Sequence, residues 1–179
     1  MKKFIATLTF VFFCNLWALA QDMPRIAGVK FGSSYSVCKE KFDNRFNRGI
    51  VSEQKSQNML KYSLVNFADM FFDRAIFGFQ TDTEGVTYLN SADFMIYYDI
   101  NDSENAKKKR DELFEFYKSK YKVRWSDTNK EGWKYYVLGN DPVSPENGLV
   151  AISIIQMPRC LYVNVGYGPI NFVNPLDEI

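Results

Sequence analysis

The sequence contains no histidine. That absence removes the usual general base, the usual partner of a nucleophilic serine or cysteine, and the commonest metal ligand. Cysteine is scarce, with three in 179 residues, and none stand in the CxxC spacing of a redox or zinc motif. Glycine-rich phosphate cradles are missing as well, since Gly166-Tyr167-Gly168-Pro169 closes the last strand-like stretch and no helix follows it. Nor is there an excess of either charge, so the chain lacks the electrostatic footprint of a nucleic-acid binder. No cofactor or metal is expected.

What is present begins with an export signal. Met1-Lys2-Lys3 leads into an apolar run from Phe4 to Phe13 and ends in Ala18-Leu19-Ala20, the pattern of a secretory signal peptide cleaved after Ala20. A stretch of about 17 residues interrupted by Asn15 is short for a membrane span, and no basic stop-transfer cluster follows. Cys14 stands behind Phe12 and Phe13, whereas lipid attachment wants a small residue immediately ahead of the cysteine. The expected location is the periplasm or the outside of the cell, with no membrane span in the mature chain. Removing Lys2 and Lys3 from the 22 basic residues leaves 20 against 21 acidic ones, a balance of −1.

The mature chain is long enough for one good core. It retains Cys38 and Cys160, and a disulfide between them is compatible with an oxidising compartment. Such a bond would close a loop of roughly 120 residues, worth up to about 4 to 5 kcal/mol in the chain-entropy model. Two isolated thiols are the alternative.

Two helical stripes are legible. Gly32-Ser33-Ser34 opens one with Tyr35, Cys38, Phe42 and Phe46 on a common face, and Asn101-Asp102-Ser103 opens another with Ala106, Leu113, Tyr117 and Tyr121. After each come stretches of strand character. Lys61-Tyr62 matches Lys134-Tyr135, Gln80 matches Gln156, and Tyr88-Leu89-Asn90 matches Tyr162-Val163-Asn164, in the same order. Turn signals at Thr81–Gly85, Asn129–Gly132 and Gly139–Pro142 favour hairpins. The expected class is α+β, two tandem repeats of one helix followed by an antiparallel β-meander, with the helices packed on one face of the sheet. The expected boundaries are signal peptide 1–20, N-terminal lead 21–27, first repeat 28–100, second repeat 101–169 and C-terminal tail 170–179.

The phenylalanine-rich stretch Phe67–Gln80 reads as mostly interior. Alternation puts Phe71, Asp73, Ala75, Phe77 and Phe79 on the core side and Phe72, Arg74, Ile76, Gly78 and Gln80 on the other. The next strand-like stretch places Val86, Tyr88, Ala92, Phe94, Ile96 and Tyr98 inside. On the second face Phe72, Ile76, Leu89, Met95, Tyr97 and Tyr136 interrupt a polar surface and make a candidate interaction patch. One conflict stays open: matching Tyr88 to Tyr162 buries Tyr162 and Cys160, whereas alternation along Leu161, Val163 and Val165 buries the other set, and a bulge would reconcile them.

Acidic pairs offer little chemistry. Asp69 and Asp73 would sit about 13 Å apart in one strand, too far for paired glycosidase carboxylates. Asp82 and Glu84 before Gly85 lack the ligand count of a calcium loop and fit a hairpin turn better. Lys107-Lys108-Lys109-Arg110 spreads around a helix once wound, with Glu104 able to pair with Lys108 and Arg110 able to run its stem along the apolar stripe.

FFDRAIFGFQTD, YLNSADF and the ending YGPINFV resemble a set of uncharacterised small secreted bacterial proteins, across nearly the whole mature chain. FGSSYSVCKEKF, with the duplicated plan, resembles the β-lactamase-inhibitor-protein-like fold and related outer-membrane assembly lipoproteins. The expected function is a non-enzymatic binding module that recognises a protein or peptide partner, or a second copy of itself, through Phe72, Ile76, Met95, Tyr97 and Tyr136. An envelope-assembly accessory or scaffold is the alternative, and a carboxylate-based hydrolase ranks last.

Overall fold

The computed structural model describes residues 23–46, 52–54, 58–82, 85–144 and 146–170, with the side chains of 52–54 left aside. The expected signal peptide and all but the first residue of the expected C-terminal tail lie outside the described residues. A short hairpin comes first, β1 (Arg25–Ile26) and β2 (Val29–Lys30). Ala27 and Gly28 at its tip both take positive φ, 52° and 84°, the geometry of a primed turn whose twist matches the strands. Its inward residues Ile26 and Val29 join the core.

Helix α1 (Tyr35–Arg45) buries Cys38 and Phe42, which stand one turn apart. Phe42 stacks on Phe77 with ring centroids 3.8 Å apart, and Tyr62 donates to Asp43 Oδ1 at 2.7 Å. Helix α2 (Ser103–Lys118) buries Ala106, Arg110, Leu113 and Tyr117, a stripe at spacings of four, three and four. Arg110 keeps its stem inside and satisfies its guanidinium through Asp111 and the carbonyl of Lys134.

The remaining strands are β3 (Ser52–Gln54), β4 (Met59–Phe67), β5 (Met70–Thr81), β6 (Thr87–Asp99), β7 (Val123–Thr128), β8 (Lys134–Leu138), β9 (Val150–Met157) and β10 (Cys160–Tyr167). They form one antiparallel sheet ordered β3-β4-β5-β6-β10-β9-β8-β7. Its centre is the β6–β10 pair, in register from Cys160↔Asp99 to Tyr167↔Ala92. The covered face carries Leu60, Tyr62, Ala75, Phe77, Phe94, Ile152, Ile154, Leu161, Val163 and Val165, all buried in one cluster with α1 and α2.

This architecture corrects the expected class. The described chain is mainly β, 49 % strand and 20 % helix, around a single sheet rather than an α+β pair of tandem helix-then-meander repeats. The matches that suggested duplication fail in facing. Tyr62 lies in the core, whereas its match Tyr135 is half-buried and Tyr136 takes the buried place. Gln80 follows the buried Phe79, while Gln156 stands two residues after the buried Ile154 and so falls on that side. A one-residue offset in a strand flips a side chain to the opposite face, so short identity strings at shifting intervals do not establish equivalence. Strand lengths differ too, 12 and 13 residues for β5 and β6 against 8 each for β9 and β10.

Two irregularities reset the alternation. Leu64 in β4 adopts φ 57° opposite Asp73, and on either side of it Ser63 pairs with Arg74 and Val65 with Phe72. The core side consequently shifts by one between Phe72 and Ala75. Phe71, expected inside, is 57 % exposed, while Phe72, expected outside, is fully buried. In β6 the register shifts between Gly78↔Ser91 and Phe79↔Leu89, leaving Asn90 as an extra residue. That bulge buries Leu89 and turns Tyr88 away, and it removes the conflict over β10: Leu161, Val163 and Val165 are core, and Cys160 and Tyr162 face the other way.

Cys38 and Cys160 are free thiols. Cys38 sits beneath α1, its Sγ donating to the Ser33 carbonyl at 3.5 Å, and Cys160 lies on the opposite side of the sheet. The sheet itself separates them, so of the two readings open in the sequence it is the pair of isolated thiols that the fold carries.

Candidate binding face

The face turned away from the helices can be read in rows, because paired residues in neighbouring strands share a side. One row crosses Ser63, Arg74, Met95, Asn164 and Ser153. The next crosses Lys61, Ile76, Asp93, Gly166, Ala151, Val137 and Trp125. A third joins Tyr97, Tyr162 and Ile155. These rows mix apolar, aromatic and charged groups across the middle of the sheet.

Three of the five residues expected to bind a partner stand here. Tyr97 is 50 % exposed, and Ile76 and Met95 are partly exposed. The other two belong to the core. Phe72 packs 5.4 Å from the Phe94 ring, carried inward by the shift opposite Leu64. Tyr136, 8 % exposed, stacks on Phe114 of α2 at 3.9 Å and donates to Asp111 Oδ1 at 2.9 Å. Burial pushes the Asp111 carboxyl up, but hydrogen bonds from Arg110 and Tyr136 and the Arg110 charge outweigh it and hold it below its ordinary value. Leu89 is also core. Alternation alone could not place these three, since each depends on a bulge or on which strand of a hairpin carries the helix.

The same face gathers residues that the sequence pattern did not single out. Tyr97 and Tyr162 meet edge to face, centroids 5.9 Å apart, and the Arg74 guanidinium lies 5.7 Å over the Tyr162 ring. Asp73, beside the shifted register, accepts the Tyr97 backbone N–H at 2.7 Å and so anchors that end of β6. In the centre, Asn164 Nδ2 donates to Asp93 Oδ1 at 2.8 Å. Burial raises the Asp93 carboxyl above its ordinary value, opposed by that hydrogen bond. A signal for Arg74 and Tyr162 did exist: β5 and β10 pair with opposite edges of β6, so facing residues could have been aligned once the sheet order was known.

On the helix side, a recess of about 270 Å³ is lined by Tyr98, Asp102, Asn105, Lys108, Lys109 and Glu112. Within it Lys109 bridges to Glu112 at 2.7 Å and Asn105 Nδ2 donates to Asp102 Oδ1 at 2.7 Å. Of the other acidic residues, Asp69 and Asp82 hold turns, and Glu84 lies outside the described residues. Asp69 sits at φ 60° in the turn between β4 and β5, and Asp82 Oδ1 accepts the Val86 N–H at 2.7 Å in the β5–β6 turn. Among the described residues no three histidine, cysteine or carboxylate side chains converge as metal ligands, and no helix is long and apolar enough to cross a membrane.

No protein-family model, curated protein or solved structure matches the chain.

Proposed function

We propose that the chain is a non-enzymatic binding module, exported to the periplasm or beyond, that holds a protein or peptide partner on the face of the sheet opposite its helices. The observation that carries this reading is the composition of that face. Tyr97, Tyr162, Met95 and Arg74 are adjacent in its rows, and tyrosine, methionine and arginine are the side chains enriched at protein interfaces. The two tyrosines bring rigid, amphipathic area at low entropic cost. Arg74 lies over the Tyr162 ring and adds a planar, always-charged donor to this group. The interior does not need these groups, because α1 and α2 supply the packing on the other side.

The test compares capture of the partner from native envelope extract by wild type, Tyr97→Ala and Met95→Ala, with Phe77→Ala as a core reference. Tyr97→Ala and Met95→Ala are expected to weaken capture at least tenfold, about 1.4 kcal/mol, while changing stability by no more than about 0.5 kcal/mol. Phe77→Ala is expected to cost about 3 to 5 kcal/mol. Undiminished capture by both face variants would overturn the proposal. A captured second copy of the chain identifies the partner as itself.

A further inference from the structure

The centre of this face holds an acceptor without a donor. Asn164 Nδ2 donates to Asp93 Oδ1 at 2.8 Å, while Asn164 Oδ1 is buried and has no hydrogen-bond partner. Such groups are uncommon in folded proteins because a buried oxygen stripped of water and left unpaired is a standing cost. The oxygen is closed to solvent, so an incoming group does not reach it. The pair itself fills the room beside it: a Cβ on Gly166 would lie 2.8 Å from Asp93 Oδ1 and 3.2 Å from Asn164 Nδ2. The missing donor has to come from within the pair or from a direct neighbour. We propose that Asp93 takes up a proton from solvent and donates it to Asn164 Oδ1, closing a doubly hydrogen-bonded acid–amide pair that acts as a pH-operated clasp between β6 and β10. The clasp does not depend on what the face binds.

The two groups match once the proton is in place. A neutral carboxyl offers one O–H donor and keeps an acceptor, and a primary amide offers an N–H and a carbonyl, so two parallel bonds satisfy both partners. A carboxylate has no donor and makes only the bond that Asn164 Nδ2 supplies. The unpaired oxygen therefore marks the charged form. Asp93 stands in the row Lys61, Ile76, Asp93, Gly166 and Ala151, beside the row Ser63, Arg74, Met95, Asn164 and Ser153. In these rows β9 and β10 bring no titratable side chain, β5 brings Arg74 and β4 brings Lys61. Both cations oppose the proton by their charge, but burial is the largest influence on the carboxyl and raises it, against the lowering by the Asn164 hydrogen bond. Asp93 is itself partly exposed, so its proton exchanges with water. The rival donor is Ser153, whose hydroxyl stands opposite Asn164 in register but makes no bond to Oδ1. With Asp93 as donor, the second bond is present in acid and lost as pH rises through the folded-state pKa.

The test is a pH titration of the isotope-labelled chain by NMR, following the carboxyl carbon of Asp93 and the side-chain amide carbon of Asn164. Asp93 is expected to titrate with a midpoint above 3.8. With the same midpoint the Asn164 carbon is expected to move downfield as pH falls, because its oxygen gains a donor. Movement upfield is what acid produces if it merely weakens the existing N–H bond, and it would overturn the clasp. So would an Asp93 midpoint at or below 3.8, or an Asn164 carbon that does not follow it. Ser153→Ala is expected to leave the coupled titration unchanged; its loss in that variant would assign the donor to Ser153 and overturn the proposal as well. Asp93→Asn places an amide where the acid stood, able to donate to Asn164 Oδ1 at every pH, so the Asn164 carbon is expected to stay at its acid-side position throughout. Should that variant fail to fold, wild type and Ser153→Ala carry the test.

Discussion

At the residue scale the clearest consequence concerns Asp93. Its folded-state pKa lies above the ordinary 3.8 because burial disfavours the charge, so between 3.8 and the raised value the native state holds a proton that the unfolded chain has lost. Stability is then unaffected below 3.8 and falls as pH rises through the window, reaching its full penalty above the folded-state pKa. The groups around it on this face are Asn164 and Gly166 from β10, Ile76 and Arg74 from β5, and Lys61 from β4. Asp93→Asn removes the titration while leaving an oxygen to accept from Asn164. Chemical denaturation at a series of pH values is expected to show the variant gaining on wild type from pH 4 upward. A difference that is flat or shrinks with pH would contradict this. Residue placements were legible where plain alternation held, as at Phe77, Phe79 and Phe94. They failed at Phe71 and Phe72, where the shift opposite Leu64 exchanges inside for outside, and no residue type at that spot announces a positive φ.

At the scale of elements, the turn between β4 and β5 shows why part of the topology was hidden. Phe67 pairs with Met70 across Ala68 and Asp69, whose φ values are 52° and 60°. A two-residue loop of this kind ordinarily uses Asn-Gly, which tolerates positive φ. With alanine and aspartate there, the stretch from Phe67 to Gln80 carries no turn signal. The double substitution Ala68→Asn with Asp69→Gly is expected to stabilise the protein by about 1 kcal/mol, measured by urea denaturation, since strain at two left-handed positions is relieved. No gain, or a loss, would mean that the present loop carries compensating contacts. Turns with overt signals were read correctly, among them the one closed by Asp82 and Gly85, where Gly85 donates to the Asp82 carbonyl at 3.1 Å. Helices were legible for a different reason: the stripe Ala106, Leu113 and Tyr117 repeats a helical period that no strand can imitate.

For the whole molecule, the decisive feature is the pairing of β6 with β10, which joins both halves of the chain into one sheet with one covered face. That pairing links residues about seventy positions apart, as in the bond from Asn164 to Asp93, and no local pattern predicts it. Three of the five residues expected on this face, Ile76, Met95 and Tyr97, do stand on it, because alternation holds from Ile76 along β5 and near Met95 and Tyr97 along β6. The other two, Phe72 and Tyr136, are core because their facing depends on how β5 bends and where α2 lies. Facing also explains the thiols, since burial pushes Cys38 up to about 12 beneath α1, mainly through desolvation, while Cys160 opens on the other side.

The central claim is that recognition happens on the helix-free face. A photo-crosslinking residue placed at Tyr97, compared with one at Lys108 on α2 and irradiated in native envelope extract, addresses it directly. We expect one discrete crosslinked product from position 97 and none from position 108. A product from position 108 alone would put the partner on the helix side and contradict the account.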